Sequence, residues 1–297
     1  MSDIDIGICT FRRAHLAQTL CSLSQLDLPR DCRIRIIVAD NDETPSARDS
    51  AEKAAHEYGL DMLYLHAPAR NISVARNACL NAATAPLLAY IDDDEEALPG
   101  WLVELLKILE AEKADVALGP VRAVYGDDAP AWARAGDFHS TKPVWVRGKI
   151  VTGYSCNALF RRLAPAVKGK AFSPELGRSG GEDTAFFAAI HREGGRIAYA
   201  PSAIVTETVP ASRASLRWLL ARRFRSGQTH GLLLAAEASF ASRLANAARA
   251  TAKSLFCALC AAGSFYDSVA WRRWLLRGAL HAGVVARLLG KRELTLY

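Results

Sequence analysis

Residues 87–97 read LLAYIDDDEEA, an apolar run that passes directly into five consecutive carboxylates. Two carboxylates about 4 Å apart repel by roughly 4 kcal/mol at a protein-surface dielectric, so the cluster needs water or a positive group among its members. The apolar half has the length of a buried strand, and outward from it strands and helices alternate. Residues 4–9 and 33–39 are apolar, β-branched runs, followed by helical patterns over 14–25 and 46–58. A short strand at 62–66 leads to a helix over 73–83 that starts on Ser73. Pro99 opens a helix running to about residue 113, at a first-turn position that tolerates proline, and 116–118 is another strand. This alternation predicts an α/β fold, a mostly parallel sheet with helices on both faces. Ligands bind such sheets beyond the carboxyl ends of the strands. The acidic cluster, Asp40-Asn41-Asp42 and Thr10-Phe11-Arg12-Arg13 all fall there.

Residues 119–149 interrupt the rhythm with Gly, Pro, Trp132, Phe138 and Trp145, and predict a long excursion. Strand character returns over 150–160, Gly181-Glu182-Asp183 opens a helix, and from residue 212 the pattern is helical throughout. The expected organisation is an α/β domain over 1–206 and a basic α-helical region over 207–297.

At 297 residues, with 51% hydrophobic and 23% charged, the chain is globular rather than disordered. No run approaches the roughly 18–20 apolar residues that span a bilayer. MSDIDIGICT is acidic and enters a strand at once, which argues against an export signal. The seven cysteines are then expected to be reduced cytosolic thiols. Cys257-x-x-Cys260 lies in an apolar helical stretch and reads as packing rather than a metal or redox site. From residue 207 onward there are 14 basic and 4 acidic residues, a net of +10, whereas residues 1–206 carry 23 and 27, a net of −4. An acidic front and a basic tail point to an anionic partner for the tail: lipid, nucleic acid or a phosphorylated substrate.

Hard divalent cations take oxygen ligands, commonly one or two carboxylates together with substrate phosphates. Asp92, Asp93 and Asp94 suit that role, but they equally suit a solvated acidic loop before a helix N-terminus, with Glu95 and Glu96 facing solvent or that helix. Asp40 suits the imide N–H of uracil or an Asx turn. Arg76 suits a nucleotide or a surface ion pair, and Phe11 a stacked base or the core.

Thr10-Phe11, Val38-Ala39-Asp40-Asn41-Asp42, NISVARN (71–77), IDDDEE (91–96) and Gly181-Glu182-Asp183 occur in the order seen in family-two glycosyltransferases, which the chain resembles over roughly residues 3–210. The longer stretches NISVARN, GDFHSTKPVW, TGYSCNALFRR, SGGEDT and RRFRSGQTHG resemble members of that family that assemble exopolysaccharide.

The resemblance implies a GT-A nucleotide-sugar-binding fold and a metal-dependent, inverting transfer from a UDP-sugar, with glucose the expected sugar and Mg²⁺ or Mn²⁺ the metal. It implies that Asp40 and Arg76 contact uridine, with Thr10 and Phe11 lining that pocket. Asp94 is implied as the metal ligand, Asp92 or Asp93 as contacts to ribose or donor sugar, and Asp183 as the catalytic base, although Glu182-Asp183 by itself also suits a pair of helix-N-terminal acids favoured by the dipole. Relatives often place a His near residue 206, where this chain has Thr206. The implied acceptor is an undecaprenyl-diphosphate-linked oligosaccharide at the cytoplasmic face of the membrane. Other exopolysaccharide assembly enzymes are possible partners and nucleic acid is not.

In the tail, Arg222 or Arg225 suits a diphosphate, because guanidinium forks match phosphate oxygens; a solvated basic face accounts for most of these arginines equally well. Trp271–Arg277 and 284–289 combine Trp, Leu and Arg in helical register, as in a helix lying on anionic lipid or one packed on the catalytic domain. Trp132 and Trp145 suit either an acceptor cleft or core packing. Two rival readings stay open: a sugar-1-phosphate nucleotidyltransferase, which would want a Gly-rich phosphate loop after the first strand, and a non-catalytic adaptor that binds membrane or nucleic acid through the basic tail.

Overall fold

The computed structural model describes residues 3–29, 32–236, 239–291 and 294. The chain forms two compact units. The first comprises Met1–Val124, Ser140–Arg178 and Glu182–Thr208; the second comprises Tyr125–His139, Ser179–Gly181 and Val209–Tyr297.

The first unit opens with β1 (Ile4–Thr10), α1 (Leu16–Ser24), β2 (Ile34–Asp40), α2 (Arg48–Tyr58), β3 (Met62–His66), α3 (Ile72–Ala82) and β4 (Leu87–Ile91). After β5 (Glu95–Ala97) and α4 (Trp101–Ala111) come β6 (Val116–Leu118) and β7 (Val121–Tyr125). Past α5 (Ala131–Gly136) the chain returns through β8 (Trp145–Val146), β9 (Lys149–Ile150), β10 (Asn157–Arg161), α6 (Glu182–Arg192), β11 (Ile197–Tyr199) and β12 (Val205–Val209).

Seven strands make the main sheet in the order β11-β6-β10-β4-β1-β2-β3. All neighbours are parallel except β10, which runs antiparallel to both β4 and β6. All seven residues of β1 are buried, as expected of a strand covered on both faces. Alternation divides the core. Ile6, Ile8, Val38 and Ala89 pack on one side with α1, α2 and α4, while Ile37, Leu88 and Tyr90 pack on the other with α3 and α6. A three-stranded sheet, β5-β12-β7, and the β8-β9 ribbon complete the set.

Local expectations shift in three places. The cap of α3 is Asn71 rather than Ser73: Asn71 is extended and its side chain accepts the Ser73 N–H at 3.1 Å. Ser73 is thereby free to donate its hydroxyl to the Ser173 carbonyl at 2.7 Å. The strand expected over 150–160 divides, with only β10 joining the main sheet while Lys149–Ile150 pairs with β8. The 119–149 excursion carries β7, α5 and β8.

The second unit holds α5 and three long helices, α7 (Leu216–Ala236), α8 (Phe240–Gly263) and α9 (Ala270–Leu288). A Cβ on Gly227 would lie 1.9 Å from the Leu280 carbonyl oxygen, and one on Gly283 would lie 1.9 Å from that of Phe224, so α7 and α9 approach more closely than any side chain allows. Leu276, Val284 and Ala286 of α9 are buried, and Trp274 meets Phe256 edge-on. α9 thus packs on α7 and α8 within its own unit. Trp132 packs on Phe138 beneath the Arg272 guanidinium, whereas Trp145 is half-exposed with its ring edge-on to Tyr199.

Candidate active site

The parallel register pairs Thr10 with Asp40 at the carboxyl ends of β1 and β2, and β4 delivers Asp92, Asp93 and Asp94 just beyond its last residue. Two arginines stand among these acids. Arg13 lies 3.9 Å from Asp93 Oδ1 through Nε and 3.4 Å from Asp94 Oδ2 through Nη2. Arg76, buried on α3, pairs through Nη1 with Glu182 Oε1 and lies 3.8 Å from Asp92 Oδ1 through Nη2.

Glu95 does not face solvent. In β5 it points inward, nearly fully buried, and its Oε2 accepts the Asp92 backbone N–H at 2.9 Å. Strand alternation leaves Glu96 exposed, 3.2 Å from His15 Nε2. Opposite β5, Glu207 of β12 pairs in register with Glu95, while the Thr206 hydroxyl donates to the Glu96 carbonyl at 3.4 Å.

Crowding raises the acids. Burial pushes Asp93 up to about 7, the Thr10 hydroxyl and Arg13 oppose the rise, and Asp94 and Asp92 add to it. Burial also pushes Asp92 up to about 6 against the pull of Arg76, although its side chain keeps 40% of its surface open. Glu95 rises well above the usual range through burial and the nearby Asp92 charge. Burial alone would lower Arg76, but the Glu182 and Asp92 carboxylates outweigh it and hold the guanidinium firmly charged.

Asp183 stands in the first turn of α6, where its Oδ1 accepts the Thr184 N–H at 2.6 Å. Burial pushes it up to about 6, Glu182 adds to the rise, and Arg76 opposes it. The carboxylate is thus a stronger base than a solvated aspartate yet still ionised at neutral pH.

Among the described residues, the possible metal-ligand atoms that lie within 4.8 Å of one another belong to Asp92, Glu95 and Cys156. The half-buried Cys156 thiol is a soft donor, ill-matched to Mg²⁺ or Mn²⁺, so the carboxylates are the members that fit such an ion. Asp93 Oδ2 and Thr10 Oγ1 are buried without a well-formed hydrogen bond, yet the Thr10 hydroxyl lies close enough to Asp93 to draw its carboxyl down. Like-charged buried carboxylates with raised pKa values form a donor set that suits a hard dication.

Asp40 is fully buried; its oxygens accept from Asp42 N at 3.0 Å, Ala47 N at 2.8 Å and the Tyr64 hydroxyl at 2.7 Å. The Asx turn is therefore present. Phe11 is 40% exposed beside the Arg12 guanidinium, which grips Asp42 through two contacts of 2.9 Å and holds that carboxyl well below the usual range. Arg222 and Arg225 lie on α7 in the second unit. Arg222 lies over the Trp218 ring, and Arg225 Nε donates to the Ser179 carbonyl at 2.5 Å.

Sequence reasoning missed Arg13, Glu95 and Glu182 as parts of the site. Arg13 had a visible signal, since it follows Phe11 at the end of β1. The NISVARN motif also has an unforeseen role: Asn71 donates to the Pro174 carbonyl at 2.8 Å, and Asn77 exchanges two 2.8 Å bonds with the Phe172 backbone. These bonds fasten α3 to the segment that precedes α6.

The family described as Glycosyl transferase family 2 matches residues 5–164, which takes in β1 through β10. The chain is a family 2 glycosyltransferase. The transferase is 52% identical over 294 residues to the succinoglycan biosynthesis protein ExoM of Rhizobium meliloti (strain 1021), covering 99% of this chain and 95% of that protein. It is 25% identical over 249 residues to the glucosyl-dolichyl phosphate glucuronosyltransferase of Haloferax volcanii, covering 75% of each.

Solved structures show the same fold at low identity. The mannosyltransferase PcManGT from Pyrobaculum calidifontis, in complex with GDP-Man and Mn²⁺, superposes with a TM-score of 0.62 at 20% identity, covering 98% of this chain and 88% of that one. S. aureus TarS 1-349 in complex with UDP gives 0.57 at 16%, covering 97% and 92%; the transferase spans 55% of a longer TarS chain. The architecture is GT-A. Family membership sets aside both the nucleotidyltransferase and the non-catalytic adaptor.

Proposed function

We propose that the transferase moves a glucosyl group, with inversion, from UDP-glucose to an undecaprenyl-diphosphate-linked oligosaccharide during assembly of a succinoglycan-type exopolysaccharide. The setting is the cytoplasmic face of the membrane, where other assembly enzymes are its neighbours. The relative at 52% identity supports the pathway. The observation that carries the chemistry is the convergence of Asp92, Arg76, Glu182 and Asp183 on one group of charges at the carboxyl end of the sheet.

In this reading Asp40, Thr10, Phe11 and Arg76 receive the uridine, and Asp92 and Asp93 orient ribose and donor sugar. Asp94 holds a divalent ion, Mg²⁺ or Mn²⁺, with Asp92 beside it; when bound, that ion supplies charge stabilisation to the departing diphosphate. Asp183 takes the proton of the acceptor hydroxyl as its oxygen bonds to the anomeric carbon and the bond to UDP breaks. Positioned general-base help of this kind is worth about 10²–10⁴ in rate. Arg222 and Arg225 are assigned to phosphate oxygens, a role that for Arg225 competes with its hold on Ser179. The catalytic region spans 1–206 and the basic helices 207–297.

The test is transfer of labelled glucose from UDP-glucose into extracted lipid-linked acceptor by purified enzyme. Transfer is expected to be lost with EDTA, with Asp94→Ala and with Asp183→Ala, and the new linkage to have the opposite anomeric configuration to the donor. Absence of both transfer and UDP-glucose hydrolysis with every lipid acceptor overturns the reading.

A further inference from the structure

The outer helix of the second unit leaves large apolar side chains in solvent. Leu244, Leu255, Phe256 and Leu259 on α8, followed by Phe265 and Tyr266 in the turn after it, are exposed by amounts ranging from 58% for Phe256 to 81% for Tyr266. Leu244, Leu255 and Leu259 fall at helical spacing on one stripe. The helix's other face is its packing face: Ala247, Ala250, Cys257 and Ala261 are buried. The exposed stripe is therefore additional to what α8 needs in order to fold onto its neighbours. Contiguous apolar surface of this kind marks an interaction site.

Charge selects the occupant. Arg249 and Lys253 stand one turn apart, both exposed, on one flank of α8, Lys253 near enough to His230 and His281 to act on them; Arg243, nearer the start, donates to the Ala235 carbonyl, and the helix contains no Asp or Glu. The acid in the following turn, Asp267, is engaged in capping α9, where its Oδ1 accepts the Val269 and Ala270 N–H groups at 2.8 and 2.9 Å. A second copy docked face to face would bring basic flanks together with no acid on α8 to offset them. An anionic bilayer supplies the opposite charge along the flank and an acyl boundary for the stripe, and long basic side chains reach its headgroups. No helix among the described residues is long and apolar enough to cross a membrane, so α8 lies along the surface.

We infer that the outer face of α8 and the α8–α9 turn form the surface by which the transferase docks on anionic lipid. This moves the lipid-facing element from α9, which is packed, to α8. The inference deepens the proposed function, resting on it for the presence of a membrane-borne acceptor, but its test does not depend on transfer.

Full-length protein is sedimented with vesicles of phosphatidylcholine alone and of phosphatidylcholine with phosphatidylglycerol. Binding is expected on the anionic vesicles and to weaken with salt. Leu255→Gln/Leu259→Gln is expected to lower partitioning by about tenfold or more, as loss of two buried aliphatic side chains implies. Arg249→Glu/Lys253→Glu should lower binding to anionic vesicles as a second, independent variant. Unchanged circular dichroism and thermal midpoint show that each variant folds, and calorimetric UDP-glucose binding separates this claim from the donor assignment. Wild type that binds neither vesicle, or variants that bind as well as wild type, overturn the inference. A dimer in the ultracentrifuge that Leu255→Gln/Leu259→Gln abolishes, without vesicle binding, gives the face to a second copy and overturns it as well.

Discussion

Arg76 and Glu182, 106 residues apart in sequence, form a buried ion pair that ties α3 to the first turn of α6. Removing one partner strands the other charge in the core, which costs about 3–5 kcal/mol, whereas replacing both with apolar groups is often near neutral. Arg76→Met is therefore expected to lower the urea midpoint sharply, and Arg76→Met/Glu182→Met to recover much of the loss. Equal destabilisation of single and double variants would show that the pair is not what holds these helices.

Asp93 links stability to pH. Its carboxyl is pushed up from 3.8 in a free chain to about 7 in the fold. The stability this contributes is present in full below about pH 4 and is lost as pH rises through about 7. Relative to Asp93→Asn, the metal-free wild type is expected to lose up to about 4 kcal/mol between those limits. Denaturant titrations of both proteins across that range check the sign; a flat difference rejects it.

The base role proposed for Asp183 predicts a kinetic limb. With that carboxyl near 6, kcat/KM should rise with pH through about 6 and then level, and a flat profile would count against the role. Arg76→Lys, which keeps the charge but cannot span Glu182 and Asp92 with two nitrogens, should shift that limb while leaving its shape intact.

Mg²⁺ or Mn²⁺ should stabilise the protein at neutral pH by about 2.7 kcal/mol at a hundred times its dissociation constant. Asp92→Asn/Asp94→Asn is expected to abolish the rise in thermal midpoint while raising the metal-free midpoint, because it removes repelling charge. A metal response that survives both substitutions places the ion elsewhere.

Gly180 has a φ of +86°, and a Cβ there would lie 1.8 Å from Arg225 Nη2. Gly180→Ala should therefore lower kcat more than it changes KM for the nucleotide-sugar donor, since it disturbs the residues that lead into Glu182-Asp183. Gly180→Ala should also lower the thermal midpoint, and adding Arg225→Ala, which removes the obstructing guanidinium, should restore part of that thermal loss. No recovery would mean that the backbone conformation alone is responsible.

The main sheet was legible because β1, β2 and β4 are short apolar runs bounded by helical periodicity, and burial on both faces leaves a continuous signal. The three residues of β5 carry two acids, and nothing local reveals that Glu95 turns inward to meet the Asp92 N–H. Asp40 was legible as a strand-end acid but not as the acceptor of three donors, because Ala47 and Tyr64 reach it only after α2 and β3 have folded back. In the tail, Trp and Arg drew attention to α9, although its close glycine contacts with α7 commit it to packing. The alanine-lined face of α8 is the less conspicuous pattern, and it is the one that leaves leucines exposed.

The antiparallel placement of β10 between β4 and β6 has a consequence for synthesis. On the ribosome, β1 through β4 can associate as they emerge, but the outer edge of β4 has no partner until Asn157–Arg161 is made. Until then the nascent chain carries an open apolar strand edge, LLAYI, the kind of surface that invites intermolecular pairing. Truncations ending before β10 are thus expected to aggregate, and those that include it to remain dispersed, so the vulnerable interval in this transferase's biogenesis lies in the seconds between its fourth strand and its tenth.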